Sequence, residues 1–168
     1  MRNFTKLVVY LLALVSLMAT SAWAQSSGAH FQRNSVKAAV QSNGNLLVSW
    51  VEAGLGNFNV DYSLTGHVEA TYFCVTNSGS IPNAANKHTV SADESAAGSF
   101  EPKNGKVTAS LTLSAPPAPA SEPPTCGTGH TLTLQNITWS NVVLTDTTYS
   151  VTTAVTQGTF SITLFPAP

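Results

Sequence analysis

The segment from Phe58 to Val75 alternates apolar and polar side chains almost without a break. One set is Phe58, Val60, Tyr62, Leu64, Val68, Ala70, Tyr72 and Cys74, and the other is Asn59, Asp61, Ser63, Thr65, His67, Glu69 and Thr71. A two-residue period is typical of a β-strand with one buried face. A tight turn at Thr65-Gly66 would send the second half of the apolar set outward. The pattern therefore predicts one long strand, bent at Gly66, that can pass from one sheet to another at a corner.

The rest of the chain after Ala24 also has the sequence pattern of β-strands. Short runs rich in Val, Thr, Leu and aromatic residues are separated by Gly, Asn and Pro, and no segment has a convincing helical period. This pattern predicts an all-β fold, a single antiparallel β-sandwich of about seven to nine strands over residues 25–168. The architecture is expected to be immunoglobulin-like. A true immunoglobulin domain is not expected, because Trp50 and Trp139 both lie outside the interval between the two cysteines.

Two Asn-Gly pairs, at positions 43–44 and 104–105, predict β-hairpins with type I′ turns. The predicted registers place Val40 opposite Leu47 and Phe100 opposite Ala109. Both faces of Leu46–Val51 are apolar, which predicts a central strand.

Two segments are predicted to lie outside the sheets. Asn77–Ala92 is a long connection with few apolar residues, and Ala115–Pro124 holds five of the nine prolines, which favours an extended polyproline-type loop. Further strands are expected at about Thr131–Leu134, Ile137–Leu144, Tyr149–Val155 and Thr159–Phe165, with a bulge near Gln135-Asn136.

Residues 1–24 have the three parts of a secretory signal peptide. These are basic Arg2 and Lys6, the apolar run Leu7–Ala19, and the small-residue cleavage site Ala22-Trp23-Ala24. The alternative, a membrane anchor, is disfavoured because the run is shorter than the roughly 20 residues that span a bilayer. We expect a secreted, extracellular protein, with the periplasm as an alternative, and no membrane span after cleavage.

Cys74 and Cys126 are the only cysteines in the chain. Secreted proteins mature in an oxidising compartment, so a Cys74–Cys126 disulfide is expected. Cys74 lies on the apolar side of the long strand, and Cys126 follows the proline-rich loop. Because prolines have no backbone N–H groups, a covalent bridge would anchor that loop where a β-ladder cannot.

Composition excludes several functional classes. Charged residues make up only 9% of the chain, against roughly 25% in ordinary soluble domains. A nucleic-acid partner is not expected, since such proteins cluster Lys and Arg against phosphates. The chain has no Gly-x-Ser-x-Gly motif, no phosphate-binding glycine loop and no paired zinc ligands. We therefore expect no enzymatic activity, no cofactor and no bound metal.

His67 and Glu69 share one side of the predicted long strand. A His-x-Glu pair can bind a metal or carry acid-base chemistry, which makes a small metal-dependent hydrolase one alternative function. The favoured interpretation is a solvated polar face, because no third ligand is identifiable. Asp93-Glu94 leaves a loose calcium site as a weaker alternative, since the chain lacks the EF-hand pattern.

Five aromatic residues offer a second alternative. Trp50, Trp139, Tyr62, Tyr72 and Tyr149 would form a carbohydrate-binding strip if they were exposed and coplanar. Most of them lie on apolar faces, so core packing is the favoured interpretation.

Several short stretches resemble a group of small secreted bacterial proteins of unassigned function. They are Glu52-Ala53-Gly54-Leu55-Gly56, Val60-Asp61-Tyr62, Tyr72-Phe73-Cys74-Val75-Thr76-Asn77, Pro82, Asn86-Lys87, Lys103-Asn104-Gly105 and Val143-Leu144-Thr145-Asp146-Thr147-Thr148. The resemblance implies a bacterial extracellular protein and transfers no site residues. The leading expectation is a secreted, non-catalytic binding or surface-interaction module for an unknown extracellular ligand.

Overall fold

The computed structural model describes residues 28–80, 87–118, 126–155 and 158–164. These residues form nine β-strands. The strands are β1 (His30–Phe31), β2 (Lys37–Val40), β3 (Leu46–Ala53), β4 (Val60–Thr76), β5 (Lys87–Phe100), β6 (Lys106–Leu113), β7 (His130–Asp146), β8 (Val151–Ala154) and β9 (Thr159–Thr163). The predicted signal peptide, residues 1–24, lies outside the described residues. The described ranges contain no helix that could span a membrane.

The strands form two antiparallel sheets that pack face to face. In the four-stranded sheet β3 is central, with β6 along one side and β1 and β2 along the other. In the five-stranded sheet the order is β5-β4-β7, and β8 and β9 pair with successive parts of β7. The predicted all-β sandwich is confirmed, as is the central position of Leu46–Val51.

The core lies between the two sheets, and most of its large side chains come from alternate positions of β3, β4 and β7, with Val107 and Leu113 added from β6. Its fully buried side chains include Leu46, Val48 and Trp50 of β3, Tyr62, Leu64 and Val68 of β4, and Ile137, Trp139 and Leu144 of β7. Each apolar side chain of this size contributes about 1.5–3 kcal/mol by leaving water. The two-residue period of these strands therefore decides which residues face the core.

The long strand predicted around Gly66 is confirmed as β4, which has 17 residues. Its predicted passage to a second sheet is wrong, because β4 pairs with β5 and β7 along its whole length. A Cβ atom at Gly66 would lie 2.9 Å from Cδ1 of Leu113 on the facing sheet. Glycine at this position lets the two sheets approach closely.

The hairpin at Asn43-Gly44 forms, but its predicted register is off by one residue. Val40 pairs with Leu46 because the loop has three residues rather than two. The Gly44 N–H donates to the Gln41 carbonyl at 2.9 Å, and Gly44 has a φ of 87°. A turn followed by a left-handed glycine is the second common hairpin loop. The shift brings Val40 onto the same face as Leu46, toward the core.

The turn at Asn104-Gly105 is also as predicted, but the strands beyond it do not pair with each other. Both turn residues have positive φ, and Lys103 and Lys106 exchange both backbone hydrogen bonds. Phe100 then pairs with Val60 in one sheet, whereas Ala109 pairs with Trp50 in the other. The predicted pairing of Phe100 with Ala109 is wrong. Residue parity cannot distinguish two strands side by side in a sheet from two strands that face each other across the core.

Other boundaries differ from the predictions in two places. The predicted connection Asn77–Ala92 is wrong at its end, because β5 begins at Lys87. The two strands predicted within 131–144 are one strand, β7, with register irregularities where Gln135 and Asn141 are inserted opposite β4. The bulge expected near Gln135-Asn136 is therefore confirmed. Residues 119–124 of the predicted proline-rich loop lie outside the described residues, as does Phe165.

The Cys74–Cys126 disulfide is present, with the two Cα atoms 5.4 Å apart. Cys74 is buried, in the last part of β4. The bridge joins β4 to the segment that leads into β7 and closes a loop with a sequence separation of 52 residues.

Replacing both cysteines with alanine is expected to lower the free energy of unfolding by about 4 kcal/mol, because the unfolded chain regains the entropy of a long open loop. Urea denaturation of the oxidised wild type and the Cys74→Ala/Cys126→Ala variant measures this loss. The reduced wild type is the control that keeps both side chains and should lose a similar amount. A difference below about 1 kcal/mol would contradict the expectation.

Candidate functional site

The outward side chains of the five-stranded sheet form a polar surface, which we call the outer face. On β4 they are Asp61, Ser63, Thr65, His67, Glu69 and Thr71; on β5 they include Thr89, Ser91, Asp93, Ser95 and Ser99; on β7 they include Thr138, Ser140 and Thr145. Each is directly opposite another member on the neighbouring strand, so their hydroxyl, carboxylate and imidazole groups are held at cross-strand spacing.

His67 is at the centre of a hydrogen-bonded cluster on this face. Its Nδ1 lies 2.7 Å from Oδ1 of Asp93, and its Nε2 lies 3.1 Å from Oγ of Ser91. A carboxylate only accepts hydrogen bonds, so Nδ1 carries the hydrogen that Asp93 accepts. In the neutral ring Nε2 then accepts the hydrogen bond that Ser91 donates. His67 is one-third exposed and Asp93 almost fully exposed.

Glu69, the predicted partner of His67, is on the same face but does not complete the cluster. It lies directly opposite Ser91 in the β4–β5 register, while both ring nitrogens of His67 are engaged by residues of β5. Within the described ranges, no group of three or more His, Cys, Asp or Glu side chains could hold a metal ion. The metal-dependent hydrolase hypothesis thus gains no third ligand from this structure.

An open cleft, the His67 cleft, lies beside the cluster. Its volume is about 400 Å³, and it is lined by Thr65, Gly66, His67, Asp93, Glu94, Ser95 and Asn141. It lies at the irregularity between β4 and β7, where Asn141 has a φ of 51°. The polar lining suits a ligand that donates and accepts hydrogen bonds.

The aromatic side chains take no part in this surface. Trp50, Trp139, Tyr62 and Tyr72 are all buried, which confirms core packing for them. The indole N–H of Trp139 donates to the Gly44 carbonyl at 3.0 Å. Among the described large apolar side chains, Phe58 alone is exposed. The aromatic strip that would support a carbohydrate-binding module is therefore not formed by these four residues.

A second polar cluster is buried between the sheets, at residues that no sequence pattern had predicted to form a site. Glu52 of β3 and Asp146 of β7 are both 0% exposed. The Tyr62 hydroxyl donates to Oε2 of Glu52 at 2.6 Å. Oδ1 of Asp146 accepts the N–H groups of Thr148 and Tyr149 at 2.8 and 2.9 Å. Oε1 of Glu52 and Oδ2 of Asp146 have no hydrogen-bond partner among the described residues.

A proton held between the two carboxyl groups would satisfy both of these oxygens. Burial raises the pKa of Glu52 to about 7, and the neighbouring Asp146 charge adds to this effect. Burial also raises the pKa of Asp146, but its backbone hydrogen bonds and the Glu52 side chain act in the opposite direction. Glu52 is therefore the protonated partner, and it donates to ionised Asp146. Burial raises the pKa of Tyr62 as well, so its hydroxyl remains a donor.

This buried cluster cannot contact a substrate directly, because neither carboxyl group is exposed. It joins β3 of one sheet to β4 and β7 of the other. Its role is therefore to hold the two sheets together. The charges that act on it from neighbouring elements are those of His30 and Asp61.

The sequence contains a signal for Glu52, one of the site residues that were not predicted, but none for Ser91. Glu52 shares the parity of Leu46, Val48 and Trp50, and a carboxylate on an apolar face is a sign of a buried polar contact. Ser91 was not identified because its segment was predicted to be a connection between strands.

No protein-family model matches the chain, and no curated protein matches it significantly.

The wild-type free energy of unfolding is expected to fall as pH rises from about 4.5 to about 7. The folded state binds the Glu52 proton more tightly than the unfolded state, so this stabilisation is complete below the unfolded pKa of 4.5 and is lost as pH rises through the folded pKa. The loss amounts to about 3 kcal/mol.

Urea denaturation across this pH range tests the expectation. Glu52→Gln keeps a hydrogen-bond donor toward Asp146 but cannot titrate, so it should remove most of the slope. A wild-type stability that is constant or rises over the same range would contradict the proton-sharing geometry.

Proposed function

We propose that this chain is a secreted binding or surface-interaction module that holds its ligand in the His67 cleft. The observation that carries the proposal is that polar residues of adjacent strands, among them Asp93, Ser95 and Asn141, line one open cleft beside the outer face. These groups project from adjacent strands of one sheet, so the core positions them before a ligand arrives.

The chemistry of the cleft favours a neutral polyhydroxylated ligand, which makes a carbohydrate the class that fits best. Sugar hydroxyl groups both donate and accept hydrogen bonds. They would meet an acceptor at Asp93, a hydroxyl group at Ser95 and a donor at Asn141. The Asp93 carboxylate disfavours acidic polysaccharides by like-charge repulsion. This form of the carbohydrate-binding hypothesis relies on polar contacts rather than on aromatic stacking.

Secretion is supported by two features of the chain. Residues 1–24 have the pattern of a signal peptide. The Cys74–Cys126 disulfide belongs to the class of bridges that form in oxidising compartments. We therefore place the mature protein outside the cytoplasm, in the extracellular space or the periplasm. The resemblance to small secreted bacterial proteins supports the same location.

The binding test is retention of the mature protein on insoluble neutral polysaccharides, with cellulose, chitin and xylan as probes. The Ser95→Ala/Asn141→Gly variant removes two polar groups from the cleft, and glycine accepts the positive φ of residue 141. It should weaken retention at least about fivefold, since each hydrogen bond between uncharged groups contributes roughly 0.5–1.5 kcal/mol.

Thr108→Ala is the matched control. Thr108 is an exposed residue of β6 in the other sheet, so its loss should leave retention unchanged. Failure of the wild type to bind any of the three polysaccharides would exclude this ligand class. Equal retention of the cleft variant and the wild type would exclude the cleft.

A further inference from the structure

We infer that Ser91, His67 and Asp93 form a nucleophilic site that removes ester-linked acyl groups from hydroxyl-bearing ligands. The choice of a carbohydrate as the hydroxyl-bearing ligand rests on the proposed function. The nucleophilic site itself rests on the geometry of the three side chains alone. Asp93 Oδ1 lies 2.7 Å from Nδ1 of His67, and Nε2 of the same ring lies 3.1 Å from Ser91 Oγ. Nucleophile, base and orienting carboxylate thus follow one another within hydrogen-bond reach.

The sheet determines this arrangement. His67 of β4 lies directly opposite Asp93 of β5, and Ser91 is two residues before Asp93 on the same strand. Side chains two residues apart on a strand point to the same face, so the imidazole ring bridges the two β5 residues. On the inner side, Val68 is fully buried next to His67 and anchors that part of β4. A site on regular strands is held more precisely than one on a loop.

Ser91 is also accessible. It is exposed, and β5 is the terminal strand in the order of the five-stranded sheet. The His67 cleft borders the cluster through His67 and Asp93. A ligand held in the cleft would therefore lie next to the ring that activates Ser91.

The reaction needs only the ester and water. As Ser91 Oγ forms a bond to the acyl carbon, its proton passes to Nε2 of His67. The tetrahedral intermediate collapses, the ester C–O bond breaks, and the leaving alcohol takes the proton from Nε2. Water then attacks the acyl-Ser91 carbonyl and gives a proton to Nε2, which returns it to Ser91 Oγ as the carboxylic acid departs. Throughout, the Asp93 carboxylate stabilises the imidazolium and acts as a positioning residue.

The surroundings of Ser91 limit which esters can react. Glu69 lies directly across from Ser91, and its charge opposes the oxyanion that forms in the tetrahedral intermediate. Thr71 and Thr89 are the next opposed pair on this face along the two strands, and their hydroxyl oxygens are 3.3 Å apart. Because the Glu69 charge opposes the oxyanion, the site favours esters with good leaving groups, and neutralisation of Glu69 should accelerate the reaction.

The first test is covalent labelling of the full mature protein with a fluorophosphonate probe, followed by peptide mapping. Label is expected on Ser91, and Ser91→Ala should lose at least about 99% of it, because no other described serine hydroxyl is hydrogen-bonded to a His ring. Ser99→Ala is the matched control. Ser99 is also exposed on β5, and its loss should change nothing. Absence of label, or label that survives Ser91→Ala, overturns the site.

The second test is the rate of acetyl release from 4-nitrophenyl acetate. Glu69→Gln should raise the rate about fivefold, which corresponds to removal of a like charge at short range in water. Asp93→Asn should lower it at least about tenfold and shift the His67 ring toward the Nε2–H tautomer in ¹⁵N NMR spectra. An unchanged or lower rate in Glu69→Gln, or an unchanged tautomer in Asp93→Asn, overturns the assignment.

These tests are independent of polysaccharide binding, because both probes are small and carry no sugar. Label on Ser91 without retention on polysaccharide would leave the nucleophilic site intact and contradict only the proposed ligand class. Retention without label would contradict the nucleophilic site alone.

Discussion

The buried hydrogen bond from Tyr62 to Glu52 and the Asp146 carboxyl group that acts on Glu52 connect the two sheets through the core. A sandwich held by apolar contacts alone could slide, because apolar contacts are not directional. The buried polar cluster has donors and acceptors at fixed positions, so it is satisfied in one alignment of the sheets. Loss of one partner would leave a buried oxygen without a hydrogen bond, which costs about 1–3 kcal/mol or more.

β4 links this core to the outer face. Its inward residues include Tyr62, Leu64 and Val68, and its outward residues include His67 and Glu69. A slip of β4 by one residue would exchange these two sets. The buried contact of Tyr62 therefore also determines where His67 lies relative to β5, even though the two side chains are on opposite faces of the sheet.

Short-range features of the sequence predicted the local structure well. The unbroken parity around Gly66 predicted one strand, and the positive-φ turn at Asn104-Gly105 forms as expected. Pairing between distant segments was less predictable. The strand pairing predicted beyond Asn104-Gly105 was wrong. Two strands with the same alternation of apolar residues can lie side by side in one sheet or face each other across a core, and the sequence pattern is the same in both cases.

The candidate sites show the same difference between local patterns, which were predictable, and contacts between distant segments, which were not. His67 was identified from its own strand, but its partners Ser91 and Asp93 come from β5 and became neighbours only through the β4–β5 register. Glu52 and Asp146 are far apart in sequence, and their coupling depends on how the two sheets are stacked. No local pattern contains that information.

The most direct test of the account is an NMR titration of the side-chain carboxyl carbons of Glu52 and Asp146 in the folded protein, from about pH 4 to about pH 9. The shared-proton geometry predicts that Glu52 titrates at about 7. It also predicts that Asp146→Asn lowers this value, since the charge of Asp146 raises the pKa of Glu52. Titration of Glu52 near its ordinary value of 4.5, unaffected by Asp146→Asn, would contradict the central claim.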